Sequence, residues 1–87
     1  METRVAIVGI IVENLESVGR LNEILHNYGQ NIIGRMGIPY REKGVHIISV
    51  AMDAPQDAIS ALSGSIGKLP GVTVKTIFSH VRTCGEP

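Results

Sequence analysis

The chain has 87 residues, 44% of them apolar and 18% charged, with eight basic side chains balanced by eight acidic ones. That length allows one domain with a small core, and the composition excludes a disordered tail. Zero net charge excludes a global field that would gather nucleic acid or an acidic membrane surface, and no apolar run reaches the roughly 20 residues that cross a bilayer.

The opening METRVAIVGIIVE runs into Glu13 and Asn14 without a small-residue cleavage pattern, so it is expected to be structure rather than a leader. The single cysteine, Cys84, has no partner for an internal disulfide, which agrees with a reducing, cytoplasmic setting.

Residues 4–13, RVAIVGIIVE, are rich in β-branched side chains and too few for a buried helix; they predict a first strand. Asn14 is placed to cap a helix whose apolar positions Leu15, Val18, Leu21 and Leu25 recur at helical spacing. Tyr28 closes that stripe and Gly29 ends it. Glu16, Arg20, Glu23 and Asn27 fall on the opposite face and are expected in water. A second strand over 31–38 and a third over 45–52 are joined from Pro39 to Gly44 by turn-forming residues, which predicts a hairpin. Asp53 and Pro55 mark the start of a second helix, with Ile59, Leu62, Ile66 and Leu69 as its buried stripe and Gly67 at its end. VTVKTIF, residues 72–78, is the last strand. Residues 81–87 are expected to form a flexible tail beyond a single domain of residues 1–80.

Strand, helix, strand, strand, helix, strand is the order of an α+β, ferredoxin-like βαββαβ two-layer sandwich. Its four-stranded antiparallel sheet has the first and third strands central and both helices on one face. The other face is expected to be apolar as well. Successive strand residues point to opposite faces, yet in the first strand Val5, Ile7 and Ile11 oppose Ala6, Val8, Ile10 and Val12. The third strand repeats this with Val45, Ile47 and Ala51 against Ile48, Val50 and Met52. Monomers seldom expose so large a patch, so a second copy of the sheet is expected to cover it, giving a homo-oligomer, dimer or tetramer. Gly34 and Gly37 then mark close backbone approach or a bulge in the second strand, with the twisting of an edge strand as their competing use.

No carboxylate pair, nucleophile elbow, Cys–His arrangement or phosphate loop is recognisable, and GRMG at 34–37 does not open a helix, so no enzyme is expected. KGVHIISV at 43–50 follows the RNA-recognition pattern at Lys43, Gly44 and Ile48. It places Val45, Ile47 and Val50 where bases would stack on aromatic rings, so nucleic-acid binding is not expected. Glu13 and Asn14, at the handover from strand to helix, are candidates to receive an anion or a small ligand, against simple capping. Arg35, Tyr40 and Arg41, with Lys43 nearby, are able to clamp a carboxylate or phosphate, against a solvated hairpin tip that guards the strand edge. The candidate ligand residues are therefore Glu13, Asn14, Gly34, Arg35, Gly37, Tyr40 and Arg41. A metal alternative draws on His46, facing its symmetry mate across an interface, and on His80 and Cys84, four residues apart.

NIIGRMGIPYREKG at 31–44 is followed by VHIISV, preceded by the opening VAIVGIIVEN and completed by LPGVTVKTIFS at 69–79. Together these stretches closely resemble the small proteins described as regulators of iron-only hydrogenase systems, relatives of the ACT domains and of the carboxy-terminal domain of nickel-responsive repressors. The resemblance covers about residues 4–79. It implies the ferredoxin-like fold and a regulatory role, including regulation of transcription, since such relatives bind amino acids or metal at subunit interfaces to control an attached domain. This chain shows no ribbon-helix-helix or helix-turn-helix segment for direct repression. Where ACT relatives carry Asp-x-Pro-Gly it has Glu13, Asn14, Leu15 and Glu16, and the repressors' histidine and cysteine array is not reproduced around His46 and His80. The resemblance thus implies a cytoplasmic, ACT-like homo-oligomer acting through a small-molecule effector or a hydrogenase-related protein, with a metal-binding or metal-sensing oligomer using His46 as the alternative.

Overall fold

The computed structural model describes residues 2–82, with side chains to residue 80. Alternation along the first strand sets the architecture: β1 (Arg4–Val12) buries Ala6, Val8, Ile10 and Val12 and turns Ile7 and Ile11 outward. It lies between β3 (Val45–Ala54) and β4 (Val72–Arg82), and β2 (Ile32–Tyr40) completes an antiparallel sheet of order β2-β3-β1-β4. The central pair and the hairpin are those expected from the sequence. In register, Val8 faces Val50 on one side and Thr76 on the other.

Two helices cover the inner face. In α2 (Gln56–Gly67), Ile59, Leu62 and Ile66 recur three and four residues apart and are fully buried. In α1 (Val18–Asn27) the buried residues are Leu21, Ile24 and Leu25, while Arg20 and Glu23 form an exposed ion pair at 2.9 Å on the far side. Burying each such aliphatic side chain contributes about 1.5–3 kcal/mol. The sandwich is therefore held mainly by this one layer of contacts.

Four boundaries differ from expectation, each for a local reason. The first helix does not continue back to Asn14: Leu15–Ser17 form a 3-10 turn, with Asn14 Oδ1 accepting from the Glu16 amide at 3.0 Å. Three residues per turn rotate Leu15 off the α-helical stripe. It is 53% exposed, and Ser17 takes the buried place, its hydroxyl donating to the Pro70 carbonyl at 2.7 Å. β2 runs through Pro39 to Tyr40 because an edge strand tolerates a missing N–H. β3 continues to Ala54, with Ala54 fully buried. β4 continues to Arg82, where Arg4 fastens it: the guanidinium donates to the Ser79 carbonyl at 2.8 Å and to Gln56 Oε1 at 3.0 Å, and lies 4.8 Å from the Phe78 ring centroid. Cys84 and the rest of the expected tail from residue 83 lie outside the described residues.

The connections at one end of the sheet are clasped together. The Glu13 amide donates to the Gly71 carbonyl at 2.7 Å, and Gly71, at φ +67°, sits so close that a Cβ there would lie 2.6 Å from Asn14 Cβ. Only glycine fits that conformation and that space.

Candidate ligand cavity and outer sheet face

The outer face of the sheet carries three rows read from β2 to β4. The first is Gly34, Ala51, Ile7 and Ile77; the second is Met36, Ser49, Gly9 and Lys75; the third is Ile38, Ile47, Ile11 and Thr73. Tyr40 and Val45 continue it at the hairpin end. Exposure runs from 39% at Ile47 to 68% at Ile77, so large apolar side chains from all four strands face outward. Small residues (Gly9, Ser49, Ala51) run down the middle, and the face is not wholly apolar, since Ser49, Lys75 and, by alternation, Asp53 belong to it. Asp53 Oδ1 is buried and has no hydrogen-bond partner among the described residues.

At the tip of the β2–β3 hairpin, beside the 3-10 turn that replaces a full helical turn, a cavity of about 360 Å³ opens. Leu15, Pro39, Tyr40, Arg41, Val45 and His46 line it. Gly44, at φ +68°, lets the chain reverse here. The Tyr40 hydroxyl donates to Glu42 Oε1 at 2.8 Å, and that bond, with burial adding in the same direction, holds the phenol above its ordinary value of 10.0. The Arg41 carbonyl accepts from the Gly44 amide at 3.2 Å, and its side chain makes no hydrogen bond or ion pair with another described residue.

Of the residues singled out in the sequence, the structure brings Tyr40 and Arg41 together at this cavity and adds His46, Leu15, Pro39 and Val45. Glu13 and Asn14 stand at the turn after β1, where the Asn14 side chain is engaged as a cap and packed on Gly71. Arg35 lies on the inner side of β2 and donates to Asn22 Oδ1 at 2.9 Å, facing away from Tyr40. Gly34 follows a bulge at Ile33, where the β2–β3 register shifts; a Cβ on Gly34 would meet nothing within 4 Å and one on Gly37 only Ile48 at 4.0 Å. Neither glycine makes a close approach within its own chain. His46 and the exposed His80 sit at opposite ends of the sheet, roughly 25 Å apart at the usual strand rise. No group of three or more histidine, cysteine, aspartate and glutamate side chains placed to hold a metal occurs among the described residues.

The missed cavity residues had weak signals. Leu15 looked like the first member of a helical stripe, and only the 3-10 turn turns it toward Pro39 and Val45.

Four antiparallel strands in the order β2-β3-β1-β4 with two helices on one face define a ferredoxin-like α+β sandwich. Over residues 4–76 the chain matches the TM1266-like family, described as "Iron-only hydrogenase system regulator, putative", and it belongs to that family. Among solved structures it is similar to that of TM1266, an uncharacterized protein from Thermotoga maritima. The two are 38% identical, with a TM-score of 0.84, and the match covers 87% of this chain and 96% of that one. No curated protein matches the chain. Among the described residues, no helix is long and apolar enough to cross a membrane.

Proposed function

We propose that the chain is an ACT-like regulatory module, a cytoplasmic homo-oligomer that covers its outer sheet face with a second copy and takes a small ligand at the hairpin tip. In this reading it acts within an iron-only hydrogenase system through a partner protein, by binding rather than by catalysis. The observation that carries the reading is the outer face, where Ile7, Ile11, Met36, Ile38, Tyr40, Ile47 and Ile77 are each at least 39% exposed. A monomer seldom leaves such a patch in water. Another sheet packs face to face at about 10 Å, and the small residues Gly9, Ser49 and Ala51 on the two central strands give room for its larger side chains.

Tyr40 and Val45 belong to both the outer face and the cavity wall. A ligand and a second copy therefore touch the same side chains, and whatever one does to the other's affinity is reciprocated. That gives a route from effector to assembly.

Native mass spectrometry with light scattering tests the reading. The expected result is a multiple of the 9.3 kDa chain, with Ile47→Asp reducing it to a folded monomer of unchanged far-UV circular dichroism. A wild-type monomer at micromolar concentration would overturn it.

A further inference from the structure

We infer that the hairpin-tip cavity selects a compact monocarboxylate with an apolar body, an anion and not a zwitterion. The inference rests on the reading that this cavity is a ligand site, and it names what the site takes. At about 360 Å³ the cavity falls near the lower end of the roughly 300–1,000 Å³ typical of small-ligand sites. Leu15, Pro39 and Val45 supply apolar wall, against which the body of the ligand loses water. Arg41 supplies the one cation among the lining residues, and its guanidinium has no hydrogen-bond or ion-pair partner among the described residues. A guanidinium in that position offers two parallel N–H donors, matching the two oxygens of a carboxylate. The His46 imidazole, also in the wall, can donate a further N–H to the same group.

The ammonium of an amino acid has no counterpart here. No carboxylate of the described residues is part of the lining; the nearest in sequence, Glu42, stands outside it with Oε1 turned to the Tyr40 hydroxyl. Burying a cation without an acceptor is costly, so the same wall that accepts the acid disfavours its α-amino derivative. A phosphate dianion meets the opposite mismatch, having no apolar body to set against Leu15 and Val45.

The test is an amide chemical-shift titration of the ¹⁵N-labelled full chain with isovalerate and benzoate, beside isovaleramide, benzamide and leucine. Saturable shifts at Gly44, Val45 and His46 are expected with both acids. Affinity should fall about tenfold or more for the amides, for leucine, and for both acids in Arg41→Gln, while Arg41→Lys retains part of it. Equal affinity for acid and amide, equal affinity for leucine, an unaffected Arg41→Gln variant, or no saturable shift at these residues would each overturn the inference. Native mass spectra of the same samples keep the two readings apart: an intact oligomer that ignores the acids defeats only the ligand class, and a monomer that binds them defeats only the oligomer.

Discussion

The two faces of one sheet are built from nearly the same residues and differ in what covers them. On the inner face Ala6, Val8, Ile10, Val12, Ile48, Val50, Met52 and Ala54 are all 4% exposed or less, whereas on the outer face Ile7, Ile11 and Ile47 are 39–46% exposed. Where one face of a strand is polar, a register slip of one residue puts polar side chains into the core, and that penalty fixes the pairing. Here a slip of β1 alone would exchange one apolar set for another, whereas a slip of β3 or β4 would bring Ser49 and Asp53 or Lys75 inward. Polarity therefore says little about the register of β1, and local devices such as the Gly44 turn, the bulge at Ile33 and the clasp between Glu13 and Gly71 add to what fixes the sheet.

The largest expected effect comes from removing equal amounts of side chain from the two faces. Leu62→Ala leaves a cavity under the inner face and should cost about 2–5 kcal/mol in urea unfolding, whatever the protein concentration. Ile7→Ala removes an outer residue; in dilute solution it should cost under about 1 kcal/mol, and its cost should grow with concentration as copies associate. Equal, concentration-independent losses for the two variants would erase the distinction between the faces.

A smaller effect separates a glycine that fixes register from one that leaves room. Gly71→Ala must hold φ +67° and place a Cβ 2.6 Å from Asn14, so it should destabilise by about 1–3 kcal/mol and loosen the clasp. Gly34→Ala meets nothing within 4 Å in its own chain and should leave the fold of the monomer within about 0.5 kcal/mol of wild type. Thermal melts of both variants at low concentration make the comparison. If Gly34→Ala proves the more harmful there, the outer face has a constraint within one chain.

Much of this was legible in the sequence because composition, period and length speak plainly: the short β-branched run in 4–13, the Ile59, Leu62, Ile66 stripe, the hairpin signal between Pro39 and Gly44. The doubled apolarity of the first and third strands also announced an outer face in need of cover. The cavity was harder to see. Tyr40 and Arg41 stood out as a polar pair, but Leu15 is carried to the wall by a three-residue 3-10 turn whose sequence, LES, reads equally well as the first turn of an α-helix. His46 drew notice as a metal ligand, because a strand residue's neighbours across a hairpin depend on register, and register was the quantity the apolar pattern left open. Arg35 is close to Tyr40 along the chain, yet a separation of five positions in a strand puts it on the other face, bonded to Asn22.

The smallest effect belongs to Tyr40, which stands where the outer face meets the cavity. Its hydroxyl donates to Glu42 and thereby keeps its proton to a higher pH than a free tyrosine's 10.0; ionised, it would lose the bond and set a phenolate against a carboxylate. Because the folded-state pKa is raised, the bond's contribution to stability is present below the unfolded value and vanishes as pH climbs through the folded one. Glu42→Gln should therefore move the phenolate absorbance midpoint of this residue down toward 10.0, with Tyr40→Phe used to subtract the other tyrosine, Tyr28. The same midpoint also reports on the outer face. A second copy lying over the hairpin end would remove water from the ring and push the phenol higher still, so the wild-type midpoint should rise between dilute and concentrated protein. A midpoint that is the same at both concentrations would mean that any covering sheet stops short of Tyr40, and that a ligand at the hairpin tip does not reach the assembly through this ring.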